Sequence, residues 1–375
     1  MKTLITGGAG FIGSSLAKAL VARGDTVTVL DNLSPQIHGA SADESPLLGE
    51  FPRGVRFIRG DVRHADDWAQ ALEGQEAVVH LAAETGTGQS MYQVDRYVET
   101  NIRGTSLLLD HLAHQAHSIR RVVVASSRSI YGEGKYRGPE GDVYPGMRNA
   151  RDMRAGQFEC LSEQTGEPLA VVATDETSKT HPSSVYGITK LVQEQLVLMT
   201  CGAMGIGAAA LRFQNVYGPG QSLRNPYTGI LSIFSTLLLQ GKDINIFEDG
   251  EETRDFVYID DVVESIVLTL DAEHARQAAY NVGSGVATSV LEVAQTLKRI
   301  YGAPGELKVT GDFRLGDIRH NFADVSKIRD ELGFQPSVSF REGATRFCEW
   351  VRSQTIEDAG YERSVAEMRA RGLMN

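Results

Sequence analysis

The chain has 375 residues, 42% hydrophobic and 23% charged, with a formal net charge of -11. That length can bury a full core and allows two or three domains, while the acidic balance argues against nucleic acid or an anionic membrane surface as partner. Three well-separated cysteines, Cys160, Cys201 and Cys348, support neither a disulfide framework nor a metal site, so a reducing compartment is the default. No run of about eighteen apolar residues occurs, and the first residues enter a strand pattern at once, leaving no room for a signal peptide; the expected location is cytoplasmic, with no membrane contact.

The first predicted strand ends at Leu4-Ile5 and runs into Thr6-Gly7-Gly8-Ala9-Gly10-Phe11-Ile12-Gly13, followed by a predicted helix over 14–23. Glycines in that spacing let backbone amides approach a pyrophosphate at a helix N-terminus, although a tight strand-to-helix turn uses the same residues for backbone reasons alone. The next strand, Thr26-Val27-Thr28-Val29-Leu30, ends in Asp31, about twenty residues beyond the last glycine. A carboxylate there accepts hydrogen bonds from a ribose 2'-hydroxyl and repels a 2'-phosphate, which favours NAD over NADP; the alternative is a polar residue closing a strand.

A third strand over 55–62 carries Asp61, a candidate adenine contact, and a fourth is Ala77-Val78-Val79-His80-Leu81-Ala82-Ala83. A helix over 104–115 leads to a fifth, Arg121-Val122-Val123-Val124-Ala125, which runs into Ser126-Ser127. This alternation predicts an α/β fold of the Rossmann type, a doubly wound parallel sheet. Residues 133–180 are rich in Gly, Pro, Glu and Arg and are expected to form an insertion over the active-site edge. A helix over 184–200 and a strand over 208–213 restore the pattern. Turn-rich segments at 217–221, 225–229 and 281–285 predict a smaller, discontinuous C-terminal lobe. The expected division is a dinucleotide domain over 1–215, a substrate lobe over 216–345 with some strand and helix returning to the first domain, and a helical tail over 346–375.

Tyr186-Gly187-Ile188-Thr189-Lys190 places a phenol and an ammonium one helical turn apart on one face. A tyrosine acts as a base near neutral pH when a neighbouring cation stabilises its phenolate, and Lys190 is placed to do so. The same spacing also arises where a surface tyrosine packs on a lysine stem. Ser127, at the carboxyl end of the fifth strand, falls where such sheets line their ligand crevice.

Together with Asn101, Ile130-Tyr131-Gly132, the run from Leu211 to Gly220, Arg254-Asp255-Phe256-Val257-Tyr258-Ile259-Asp260-Asp261 and Gly316-Asp317-Ile318-Arg319-His320, these motifs resemble the extended short-chain dehydrogenase/reductase superfamily over about residues 1–345, in particular its NAD-dependent nucleotide-sugar epimerases and dehydratases. The resemblance implies Ser127, Tyr186 and Lys190 as the catalytic triad. It implies NAD contacts from Gly7, Gly10, Phe11, Ile12, Gly13, Asp31, Asn32, Asp61, Val62, Leu81, Ala82, Ala83 and Asn101, with Tyr186 and Lys190 at the nicotinamide end. For a nucleotide-diphosphate sugar it implies Thr85, Thr87, Ser127, Arg128 and Ser129 around the hexose, and Asn215, Arg254 and Arg319 on the diphosphate. Guanidinium groups suit phosphates, yet Arg254 and Arg319 could instead pair with Asp255 or Asp317. The loop Thr85-Gly86-Thr87-Gly88-Gln89-Ser90 offers small polar residues for a hexose, or is simply a flexible connection.

Dehydratases of this superfamily carry an Asp-Glu pair where this chain has Arg128-Ser129, which argues against dehydration and leaves 4-epimerisation. Three local runs, 83–90, 126–136 and 220–229, resemble a bacterial subgroup acting on dTDP-L-rhamnose. The helices around 103–115 and 184–200 carry apolar positions on more than one face, and the resemblance implies a homodimer through them.

Overall fold

A computed structural model describes residues 1–39, 48, 51–223, 225, 229–273, 277–356 and 361–374. The β-branched runs become β1 (Lys2–Thr6), β2 (Thr26–Asp31), β3 (Arg56–Arg59), β4 (Ala77–His80) and β5 (Arg121–Ser127), joined by β6 (Gly207–Phe213) and β7 (Ala278–Val282). All pair in parallel, in the order β7-β6-β5-β4-β1-β2-β3. The helices that place the site are α1 (Phe11–Ala22), α2 (Ala65–Leu72), α3 (Gly104–His114), α4 (Val185–Ala203), α5 (Ile259–Asp271) and α6 (Tyr361–Ala370).

The strands are apolar on both faces because helices cover both. Ile5, Val29, Val79 and Val123 meet Leu16 and Leu20 of α1 and Val262 and Ile266 of α5 in one buried cluster. Leu4, Val78, Val122 and Val124 meet Trp68 of α2, Leu108 and Leu112 of α3 and Val197 of α4 in the other. The strand order turns back between β1 and β4, so connections leave in opposite directions and open a crevice at the carboxyl edge.

Beyond β6 the chain forms small pairings: Asn215–Tyr217 with Phe256–Tyr258, Ile244–Ile246 with Leu307–Val309, and Thr253–Arg254 between Thr288–Ser289 and His320–Asn321. Within the same stretch α5 and β7 return to the main sheet. The segment 133–180 contributes three short antiparallel strands and the helix Ala150–Arg154. Two details departed from expectation. The third strand is shorter than 55–62, since Gly60 and Asp61 already turn the chain, and a π-helical stretch, Val98–Arg103, precedes α3. No described helix is long and apolar enough to cross a membrane.

Candidate active site

A cavity of about 480 Å3 opens at the carboxyl edge of the sheet. One end is the glycine turn, where Gly7, Gly10, Phe11, Ile12 and Gly13 line the wall. Gly10 caps α1 without a side chain, so the N-terminal amides of the helix keep no side-chain acceptor and can serve an anion. Gly7 has φ +66°, and a Cβ there would stand 2.8 Å from the backbone nitrogen of Ala82. Only glycine lets the turn lie against the chain leaving β4.

Asp31 lies at the same end, its Oδ2 accepting from the Ala9 amide at 3.0 Å and its Oδ1 from the Leu33 amide at 2.8 Å. Burial pushes its carboxyl up, and those two amides oppose the shift. Asn32, Val62, Leu81, Ala82 and Ala83 also line this part. An open amide cradle, a fixed carboxylate for ribose hydroxyls and an apolar wall fit the pyrophosphate, ribose and adenine of a dinucleotide.

At the other end stand Ser127, Arg128, Ser129, Tyr186, Lys190, Thr85, Thr87 and Asn215. Tyr186 is the second residue of α4, whose N-cap Ser184 accepts from the Gly187 amide at 3.1 Å. The Tyr186 amide donates to Ser90 Oγ at 3.0 Å, and the Tyr97 ring meets its ring edge-on with centroids 6.4 Å apart. Burial raises the Tyr186 phenol, opposed by a hydrogen bond shared with Ser127 and by the charge of Arg128. Lys190 is 2% exposed and burial pushes its ammonium down to about 7. Its Nζ donates to Gln193 Oε1 at 2.8 Å, and Gln193 Nε2 donates to Thr105 Oγ1 at 2.8 Å. Thr105 meets His80 Nε2 at 3.0 Å, and His80 Nδ1 meets Thr6 Oγ1 at 2.7 Å. A buried polar chain thus runs from the lysine to the strand that carries the glycine turn.

Four predicted contacts do not line the cavity, and each has a physical reason. Asp61 is occupied by Arg63 Nε at 2.9 Å, Arg63 Nη2 at 2.7 Å and Asn32 Nδ2 at 2.9 Å, which hold its carboxyl below the usual range despite burial. Its neighbours Gly60 and Val62 face the cavity instead. Asn101 is fully buried, accepting from the Glu84 amide at 2.7 Å and donating to Thr189 Oγ1 at 2.9 Å, so it braces the loop after β4 against α4.

Arg254 donates through Nη1 to the carbonyls of Thr253 and Arg319, and through Nη2 to Ile318 O at 2.7 Å and Asp317 Oδ1 at 3.0 Å, so of the alternatives for this residue the Asp317 pairing is the one formed. Arg319, 1% exposed, is bound by Glu159, Glu248 and Asp249. Neither Asp255 nor Asp317 holds it. The partners come from elsewhere in the chain, one of them from 133–180.

No residue of the segment 133–180 lines the cavity; Arg148 ties the segment to the lobe through Glu248 at 2.7 Å, and Thr174 pairs with Ala323. Sequence reasoning missed Gln36 and His38, which line the cavity beside Asp31 from the short helix Pro35–His38; Ser34-Pro35 is a helix-start signal that could have found them. It also missed Gln214, Gln221 and Asn225 on the lobe side. Within the run 220–229, Arg224 and residues 226–228 lie outside the described residues.

The profile of the NAD dependent epimerase/dehydratase family matches residues 3–150 and 158–283. The chain is 41% identical over 356 residues to dTDP-L-rhamnose 4-epimerase of Burkholderia thailandensis, covering 94% of this chain and 95% of that protein. It is 31% identical over 357 residues to UDP-glucose 4-epimerase of Mycolicibacterium smegmatis, covering 95% and 100%. Among solved structures, UDP-glucuronic acid 4-epimerase from Bacillus cereus, in complex with UDP-glucuronic acid and NAD, superposes with a TM-score of 0.76 at 26% identity, covering 94% of this chain and 99% of that one. The chain therefore belongs to the NAD-dependent epimerase/dehydratase family, is an enzyme of its epimerase branch, and takes NAD as its cofactor.

Proposed function

We propose that the chain is a 4-epimerase of a nucleotide-activated sugar, interconverting dTDP-L-rhamnose and dTDP-6-deoxy-L-talose. The observation that carries the reaction type is the convergence of Ser127, Tyr186 and Lys190 on one cavity with the glycine turn, while Arg128-Ser129 stands where a dehydratase needs an acid and a base. The 41% identity with the Burkholderia enzyme supports the sugar.

In this reading Tyr186 takes the proton of the 4-hydroxyl, positioned by Ser127. NAD, when bound, supplies the hydride acceptor and donor at C4. The 4-keto sugar turns over in the cavity so that C4 would take the hydride back on its other face, and Tyr186 returns the proton to the C4 oxygen, so no net oxidation occurs. Lys190 holds the nicotinamide ribose and favours the phenolate. Asn215 and the lobe residues around it take the nucleotide diphosphate. The solved neighbour with UDP-glucuronic acid favours a second reading, a UDP-hexose or UDP-hexuronate 4-epimerase.

Incubating the protein with NAD and each sugar nucleotide, and reading the coupling between the C3 and C4 protons, tests both. The 4-epimer from dTDP-L-rhamnose at a fixed ratio is the expected result; epimerisation of UDP sugars alone supports the second reading. Stoichiometric NADH consumption would instead mark a 4-keto-sugar reductase, and bound NAD with no turnover of any sugar a non-catalytic sensor.

Val94 and Val98, in the turns leading into α3, and Ile188 and Met199 on α4 are 37% to 75% exposed, which supports a homodimer through this face. Light scattering should give twice the chain mass.

A further inference from the structure

With Arg254 and Arg319 bound to carboxylates or carbonyls, Arg128 is the one guanidinium in the cavity wall among the described residues. It is not a loose surface side chain. The turn Arg128–Tyr131 begins directly after Ser127 at the end of β5 and lies on the first turn of α4, so closely that a Cβ on Gly187 would stand 2.5 Å from Ser129 O. The backbones carrying Arg128 and Tyr186 are therefore locked together. Arg128 Nε donates to Asn215 Oδ1 at 2.7 Å, and among the described residues its two Nη groups have no acceptor.

The charges around this pair are few. Tyr186 faces Arg128, the Ser127 hydroxyl and the Tyr97 phenol, with Lys190 one turn along its own helix. Arg128 faces Arg254, Asp317 and Asp255. Asp317 is taken by Arg254, and Asp255 is fully buried and bound by Ser284, Gly285 and Ala323. Burial pushes the Arg128 guanidinium down to about 10 and the Lys190 ammonium further, to about 7, so of the two Arg128 keeps the wider margin above neutral pH. The lining imidazole His38 sits at the adenosine end beside Asp31, and burial pushes it down.

We propose that Arg128, held by Asn215, is a positioning residue that keeps a permanent positive charge beside the Tyr186 phenol and so favours the phenolate that takes the proton of the sugar's 4-hydroxyl. A guanidinium cannot act as a competing base, and in a cavity of low dielectric its field on a fixed neighbour is little screened. The role goes beyond a grip on substrate. It rests on the reading of Tyr186 as the base of a 4-epimerase, and adds a cation that the Tyr-x-x-x-Lys pattern does not contain.

The test compares NAD-loaded wild type with Arg128→Met, which keeps the length and loses the charge, Arg128→Lys, which keeps the charge, and Asn215→Ala, which frees the guanidinium. Two readouts are needed: the pH profile of kcat/KM, and the ultraviolet titration of Tyr186 without substrate, taken as the difference between each protein and the same protein with Tyr186→Phe. Removing a cation from beside an acid raises its pKa. In Arg128→Met the acid-side limb and the Tyr186 titration should both move up by about one pH unit or more, costing about tenfold in kcat/KM on that limb. Arg128→Lys should recover part of both, and Asn215→Ala should shift both in the same direction by less. An unmoved limb and titration in Arg128→Met, whether kcat/KM is unchanged or only KM rises, overturns the proposal. If Arg128→Met does not fold, an unmoved titration in Asn215→Ala overturns it. If wild type turns over no sugar nucleotide, the functional reading fails, and the Tyr186 titration still decides this one.

Discussion

Replacing Arg319 by leucine separates two roles for that residue, a grip on a diphosphate and a rivet between segments. The guanidinium makes five hydrogen bonds: Nε and Nη2 to Glu159 at 2.8 and 2.6 Å, Nη1 to Glu248 at 3.0 Å, and Nη1 and Nη2 to Asp249 at 2.7 and 2.8 Å. Removing one partner of a buried ion pair costs about 3–5 kcal/mol because the other charge stays behind. The side chains of Glu159 and Asp249 are 32% and 45% exposed and can rehydrate, and Glu248 keeps Arg148, so the low end, about 3 kcal/mol, applies. At about 2.1 cal/mol/K per residue, 375 residues unfolding together have an entropy near 0.8 kcal/mol/K, so Tm should fall by about 4 °C.

Scanning calorimetry measures that shift, and initial rates give the KM of the sugar nucleotide. The expected pair is a lower Tm with KM within about twofold of wild type. An unchanged Tm with KM raised about tenfold or more would refute the assignment and restore the diphosphate contact. Acid sensitivity offers a second check. Hydrogen bonds from His320 and then Arg319, opposed by burial, lower the Glu159 carboxyl from 4.5 to about 2. A depressed carboxylate stabilises the fold above its ordinary value and loses that contribution as pH falls toward 2, so Arg319→Leu should flatten the decline in stability between pH 4.5 and 2.

Asp31→Asn removes the charge facing the ribose; NAD should bind about tenfold more weakly or worse by titration calorimetry, with NADP gaining relative to NAD, and an unchanged NAD affinity would contradict the assignment. Asn101→Leu leaves the Glu84 amide without its acceptor while the Thr189 hydroxyl keeps the Tyr186 carbonyl, so denaturant unfolding should show a loss of about 2 kcal/mol with NAD affinity little altered; full stability would undo the brace. Tyr186→Phe should lower kcat by about 10²-fold or more while NAD stays bound, and undiminished turnover would remove the proposed base.

The residues legible in sequence are those whose signal is local. Gly7 to Gly13 and Asp31 are set by the geometry of one strand-turn-helix-strand unit, and Tyr186 and Lys190 by a single helical turn, so spacing alone brought them together. The Asp317 pairing of Arg254 was among the alternatives visible in the sequence, whereas the partners of Arg319 are set by tertiary docking: Glu159 lies in a segment whose pattern gave no hint that it packs on the lobe, and Glu248 and Asp249 sit in an unpatterned turn. Asn101 went the same way, its partner Thr189 lying on a helix far along the chain. The pairing of Asp61 was legible, because Arg63 stands two residues away, where a side chain can fold back on the carboxylate. His80, noted only as part of a strand, is a neutral link in the buried chain below Lys190, burial having pushed its imidazole down to about 3.

The central claim is that the configuration at C4 is inverted by removing and returning the same hydrogen within one cavity. Supplying dTDP-L-rhamnose deuterated at C4 in ordinary water, with NAD and no other reductant, and analysing the products by proton spectroscopy and mass spectrometry tests it directly. The expected product is the 4-epimer with its deuterium retained and no NADH released. A 4-epimer carrying protium at C4 would contradict it.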